Sequence, residues 1–139
     1  MAQKVKDVMT PGAVSCGVRD TAADAARVMK QHAIGDVIVL DDGRLCGMVT
    51  DRDIVVRVIA EGRDPNTTAL GDICTSEVIT VRPDDDAKHA VQLMTERAVR
   101  RIPIVDGDKI VGIVTMGDLA VERDEHSALA AVSAAPPNV

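Results

Sequence analysis

The sequence predicts an α+β fold of two β-α-β-β-α repeats related by a pseudo-twofold, with their sheets packed together and helices outside. Three observations carry that expectation. The chain matches itself at a constant spacing of 65 residues (72 minus 7, 118 minus 53), aligning Asp7 with Asp72, Thr10 with Thr75, Asp20 with Asp85, Met29 with Met94, Gly47 with Gly112 and Asp53 with Asp118. Each repeat carries a hairpin of β-branched runs around a polar turn, Asp41-Asp42-Gly43 in the first and Asp106-Gly107-Asp108 in the second, a strong local signal for a tight reversal. Each then closes on Gly-apolar-apolar-Thr-x-x-Asp, Gly47 to Asp53 and Gly112 to Asp118. There a threonine and a carboxylate three residues on mark a helix start.

The elements follow in order. Lys4 to Thr10 reads as a short amphipathic turn stopped by Pro11-Gly12, and Leu70 to Thr75 repeats it. Val14 to Val18 and Val78 to Val81 read as short strands. The first long helix starts at Asp20/Thr21 with Asp24 completing a capping box, its apolar face being Ala22, Ala25, Ala26 and Met29. The second starts at Asp84 to Asp86 and presents Ala87, Ala90, Val91 and Met94. Hairpin strands follow at Val37 to Leu40 with Leu45 to Val49, and at Ile102 to Val105 with Ile110 to Val114. The helix after Thr50 carries a stripe of Ile54, Val55, Val58 and Ile59, is ended by Gly62, and leads into a linker from Arg63 to Thr68. The copy after Thr115 is expected to run through an Ala-rich stretch to Val132, with a disordered tail from Ser133 to Val139. Domain boundaries are expected at 1–66, 67–123 and 124–139. A unit of about sixty residues buries too little surface alone, so the two should share a core. Leftover apolar positions, Val56, Ile59, Leu119 and Val121, would favour a homodimer.

Composition narrows the function. The chain has 139 residues, 46% of them apolar, a net charge of -6 and no Phe, Tyr or Trp. Clustered cations and stacking aromatics, the usual means of holding nucleic acid, are missing. No stretch is long enough to span a membrane and the N-terminal residues lack a signal-peptide core, so a cytoplasmic location is expected. Cys16, Cys46 and Cys74 are too scattered for a metal knuckle. They read as small buried apolar residues rather than as a Cys16 to Cys46 disulfide. His32, His89 and His126 read as helix-surface residues, and Asp84-Asp85-Asp86 as a response to the helix macrodipole rather than a cation site. No metal site, required cofactor or catalytic constellation is indicated, so an enzyme is not expected.

Asp7-Val8-Met9-Thr10 at the start, Arg100 to Val105 (Arg-Arg-Ile-Pro-Ile-Val) before the second hairpin, and the twice-repeated Gly-apolar-apolar-Thr-x-x-Asp resemble the cystathionine-β-synthase (CBS) domain pair, or Bateman module. The resemblance covers roughly residues 5 to 122. It implies a regulatory module that holds an adenine nucleoside or nucleotide, of the AMP, ADP, ATP or S-adenosylmethionine class, in clefts between the repeats. By that resemblance the motif aspartate accepts from ribose hydroxyls, the threonine lies near phosphate, and cations before the second strand reach the phosphates, chemistry suited to carboxylate and guanidinium.

Carried over residue by residue, the two clefts differ. One takes Thr115, Asp118, Arg100 and Arg101, with adenine near Val14, Ile34 and Gly35. The other takes Thr50, Asp53 and Arg52, with Ile79 and Val99, but has Gly35 and Asp36 where the arginines would be, and Asp51 adds a further negative charge. Carboxylates facing a polyphosphate are opposed by roughly 1 kcal/mol per near pair in screened surroundings. The Asp118 cleft is therefore expected to be the anion-competent one, and the Asp53 cleft weak or selective for a less charged ligand. Ile38 stands where the second repeat has Pro103. The competing expectation is a nucleotide-free structural protein that presents its helices and acidic surface to an unidentified protein partner.

Overall fold

A computed structural model describes residues 3–123. In order it forms α1 (Val5–Val8), β1 (Thr10–Pro11), β2 (Ser15–Gly17), α2 (Ala22–His32), β3 (Asp36–Asp41), β4 (Arg44–Thr50), α3 (Asp51–Ile54), a π-helical turn (Val55–Ile59), a 3-10 turn (Leu70–Asp72), α4 (Ala87–Arg97), β5 (Arg101–Asp106), β6 (Lys109–Thr115) and α5 (Met116–Arg123). The class is α+β with two sheets, as the sequence predicts. The Ala-rich stretch beyond residue 123 and the expected tail lie outside the described residues.

Two compact units result, one of residues 14–78 and the other of residues 3–13 with 79–123. Backbone hydrogen bonds explain why these differ from the sequence repeats. Val5 N–H donates to Asp85 O at 2.8 Å, Lys6 N–H to Pro83 O at 3.0 Å and Ala87 N–H to Gln3 O at 2.8 Å. The same three bonds recur one repeat along: Leu70 N–H to Asp20 O, Gly71 N–H to Val18 O and Ala22 N–H to Thr68 O. The opening segment of each sequence repeat thus packs on the body of the other.

In the unit of residues 14–78 the sheet order is β2-β3-β4, with β2 parallel and β4 antiparallel to β3. The hairpin reverses at Asp42 and Gly43, both at positive φ (52° and 83°), which matches the right-handed twist of the strands it joins. Alternation buries Val37, Val39 and Val49 against Ala22, Ala25 and Met29 of α2, with Leu70 and Ile73 closing the core. Ala26 is exposed, contrary to the expected face. Val58 alone of the stripe after Ile54 is fully buried, whereas Val55 and Ile59 stay 58% and 56% exposed because that turn is π-helical and rotates them outward.

The helix start at Thr21 is as read from the sequence. Thr21 N–H donates to Asp24 Oδ2 at 2.9 Å and Asp24 N–H to Thr21 Oγ1 at 3.2 Å. The backbone bond from Thr21, then its side chain, hold the Asp24 carboxyl below the usual carboxylate range against a small opposing effect of desolvation. A carboxyl whose pKa is lower folded than unfolded stabilises the fold above its unfolded pKa, about 3.9, and loses that contribution as pH falls through the folded value. Asp24→Asn should therefore flatten the acid limb of a stability profile below about pH 4; an unchanged acid limb would show that the cap contributes nothing there.

In the other unit the order is β1-β6-β5, over a core of Val5, Val81, Ala90, Met94, Ile102, Ile104, Val114 and Leu119. Leu119 is only 4% exposed, so it belongs to the core rather than to a leftover face. The expected strand at Val78 to Val81 is reduced to a single parallel bridge, Val81 with Ile104. Val81 keeps two bonds, N–H to Pro103 O at 3.2 Å and O from Val105 N–H at 2.9 Å. In the first repeat the strand is extended by Ile38 N–H to Val14 O and Val18 N–H to Leu40 O. Their counterparts would need N–H groups at positions 103 and 83, and both are proline. The three aspartates before α4 are also accounted for: Asp84 and Asp86 meet Lys6 and Lys4 Nζ at 2.8 Å and 3.0 Å, and Asp85 accepts from Arg82 N–H at 2.8 Å.

Candidate functional site

Each Thr-x-x-Asp corner is built the same way. A strand ends on a threonine in extended conformation, a helix starts at the next residue, and the motif aspartate bonds back. Thr50 N–H donates to Asp53 Oδ2 at 2.9 Å and Asp53 N–H to Thr50 Oγ1 at 3.1 Å. Thr115 N–H donates to Asp118 Oδ2 at 2.9 Å and Asp118 N–H to Thr115 Oγ1 at 3.0 Å. This box uses one carboxylate oxygen and leaves Oδ1 and the threonine hydroxyl proton as the groups a ligand would meet. The motif glycine has a separate purpose. A Cβ on Gly112 would stand 2.6 Å from Thr10 O and 2.9 Å from Met9 Sδ, and one on Gly47 would overlap Thr75 O. Glycine is what lets the crossing segment reach the strand.

The two corners diverge in their surroundings. At the second, Met116 N–H donates to Arg100 O at 2.8 Å, and Arg101 is the strand partner of Thr115. Both arginines are exposed, so the structure places Thr115, Asp118, Arg100 and Arg101 in one unit around one strand end. At the first, Asp51 N–H donates to Gly35 O at 2.9 Å, and Asp36, 8% exposed, is the strand partner of Thr50. A Cβ on Gly35 would lie 3.1 Å from Asp51 Oδ2, so carboxylates crowd the place that arginine occupies in the second corner. Arg52 is exposed in the first turn of α3, its N–H donating to Asp51 Oδ1 at 2.8 Å.

One residue escaped the motif reading. Arg57 Nε lies 3.6 Å from Asp53 Oδ1, and Arg57 Nη1 donates to Ile73 O at 2.9 Å. The first corner thus carries its own cation on the oxygen that the capping box leaves over. Position 122, 65 residues after Arg57, is Glu122; among the described residues no cation is ion-paired with Asp118. The signal was present as an Asp-x-x-x-Arg spacing on a helix.

The remaining expected residues are half-buried. Val14 and Ile34 pack on the core of the 14–78 unit, and Ile79 and Val99 on that of the other. Val99 and Arg100 also line an open, mainly apolar cavity of ≈ 530 Å³ between α4 and α5, together with Met94, Met116 and Leu119. Thr115, Asp118 and Arg101 do not line it.

The CBS domain profile matches residues 5–60 and again residues 70–125, the two segments that carry these corners. The chain belongs to the CBS-domain family. It is 42% identical over 119 residues to the CBS domain-containing protein YhcV of Bacillus subtilis, covering 86% of this chain and 84% of that one. Hypoxic response protein 1 of Mycobacterium tuberculosis is 37% identical over 130 residues, covering 93% and 91%. Among solved structures, the CBS domain pair of protein MJ0100, in complex with 5'-methylthioadenosine and S-adenosyl-L-methionine, superposes with a TM-score of 0.79 at 26% identity, covering 91% of this chain and all (100%) of that one. This CBS pair is a module of the regulatory kind. Among the described residues no helix is long and apolar enough to cross a membrane, and no cluster of His, Cys, Asp and Glu could hold a metal ion.

Proposed function

We propose that this CBS pair is a sensor that binds an adenine nucleoside or nucleotide, with the Asp118 corner taking the phosphorylated ligand. The observation that carries this reading is the state of the second carboxylate oxygen. On Asp53 it faces Arg57 at 3.6 Å, whereas Asp118 has no ion-pair partner among the described residues and has Arg100 and Arg101 beside its strand end. Asp118 then accepts from the vicinal ribose hydroxyls, Thr115 donates towards phosphate, and the arginines neutralise it. Val14, Ile34 and Gly35, the expected adenine-side residues, belong to the unit of residues 14–78. The Asp53 corner, with Thr50 and Arg52, suits an uncharged or cationic adenosine derivative, because Asp36 and Asp51 repel phosphate. The adenosine compounds held by the MJ0100 pair support the ligand class. At each corner threonine and aspartate are tied to one another's backbone, which makes them binding groups rather than a nucleophile and base.

A thermal-shift panel of AMP, ADP, ATP, 5'-methylthioadenosine and S-adenosylmethionine tests this. A ligand at a hundredfold excess over its Kd should stabilise the fold by about 2.7 kcal/mol and raise the melting temperature with concentration. No shift with any member would favour the second reading, an interaction protein. That reading is kept because Val55, Val56 and Ile59 form an apolar patch 58%, 43% and 56% exposed, a surface that a second copy of the chain in a homodimer, or another protein, would cover.

A further inference from the structure

Two of the three cysteines come together by a route that strand alternation does not show. Val39 pairs with Gly47 but Leu40 with Leu45, so Cys46 is the extra residue of a β-bulge, a device that re-aims the side chain it carries. The other side of β4 is bordered by the chain leaving the 3-10 turn, through Met48 N–H to Thr75 O at 3.1 Å and Thr75 N–H to Met48 O at 2.9 Å. That border sets Cys74 over the same stretch of strand. Its Sγ lies 3.0 Å from where a Cβ on Gly47, the residue next to Cys46, would stand, and Cys46 is near enough for its charge to raise the Cys74 thiol. Both are half-buried and pack on one core cluster. Cys16 is buried in β2 at the opposite edge of the sheet, with β3 between it and β4. Cys46 therefore has Cys74, not Cys16, as its neighbour.

We propose that Cys46 and Cys74 are a dithiol that converts reversibly to an intrachain disulfide, while Cys16 stays a thiol. The oxidant is a low-molecular-weight disulfide. One cysteine thiolate attacks a sulfur of that disulfide and expels one small thiolate; the second cysteine attacks the protein-bound sulfur of the mixed disulfide and expels the other. The protein loses two protons and two electrons, and the small disulfide takes them up to become two thiols. Burial, then the adjacent Cys46, pushes the Cys74 thiol up, and Arg57 draws it partly back, so exchange runs through a minor thiolate population. The bond closes a loop from residue 46 to residue 74 that contains Thr50, Asp53 and Arg57. The oxidised chain is thereby clamped around the first corner.

Wild-type protein equilibrated with oxidised glutathione, alkylated and digested with trypsin without reduction tests this. The expected product joins the peptide of residues 45–52 to that of residues 64–88, the Arg82-Pro83 bond resisting trypsin, leaves Cys16 alkylated, and disappears with dithiothreitol. Thiols per chain fall from three to one. Cys16→Ser should keep the linked peptide, and Cys46→Ser and Cys74→Ser should each lose it. Absence of the linked peptide at every glutathione ratio, a link that includes Cys16, a link between chains, or stable glutathione adducts on both Cys46 and Cys74 would each overturn the proposal.

Discussion

Asp118→Ala should weaken adenine-nucleotide binding by about 100-fold in titration calorimetry, and Asp53→Ala should change it by less than about threefold. Two ribose hydroxyls donating to one carboxylate account for the size, since bonds to a charged acceptor contribute about 1.5–3 kcal/mol each. Alanine also removes the acceptor for Thr115 N–H, so Asp118→Asn is the necessary companion: it keeps a capping oxygen and loses the charge. Asn should retain most of the thermal stability and still bind poorly. Nucleotide affinity that survives Asp118→Ala but is abolished by Asp53→Ala would reverse the assignment of the two corners. Arg57→Ala offers an independent view. It frees Asp53 Oδ1, and any gain should appear with 5'-methylthioadenosine rather than with ATP, because Asp51 and Asp36 remain.

Gly47→Ala should cause a large loss of stability, about 3 kcal/mol, or about 10 °C in melting temperature. The added methyl would overlap the Thr75 carbonyl oxygen, a backbone atom held by the paired bonds between Met48 and Thr75. Relief requires moving the 3-10 turn, which carries Leu70 and Ile73 in the core. Gly71→Ala is the control, because its new Cβ would sit at 3.4 Å from Val18 O, which costs little. Far-UV circular dichroism is the appropriate probe in a chain with no Trp or Tyr. Gly47→Ala melting within about 0.5 kcal/mol of wild type would show that the segment yields freely.

What could be read from the sequence was whatever is decided within a few residues. Asp42-Gly43 needs only its own backbone angles to reverse a hairpin, and Thr21 with Asp24, Thr50 with Asp53, and Thr115 with Asp118 close their boxes locally. The repeat made the architecture legible, because one unit annotates the other. Long-range placement was not available in the same way. Leu119 looked like surplus surface until it met Val5 and Met94. Val78 to Val81 has the composition of a strand, but two missing N–H groups far apart in sequence, at Pro83 and Pro103, shorten it. The proximity of Cys46 to Cys74 depends on a bulge that re-aims Cys46, which the sequence does not announce. Of the candidate site, the carboxylates and arginines were visible as motif positions, whereas the Arg57 pair depends on a side chain reaching back along its own helix.

The prolines that cost the second unit a strand also guard it. Among the described residues the outer edge of β5 is bridged at Val81, and an uncovered edge invites strands from other molecules. A strand trying to add there would find Pro103 with no N–H to offer and its carbonyl already taken by Val81. The next donor, Val105 N–H, is spent on Val81 as well. The edge is therefore short of free donors where an adding strand would have to bind, and the shortened ladder keeps this unit from being extended by its own copies.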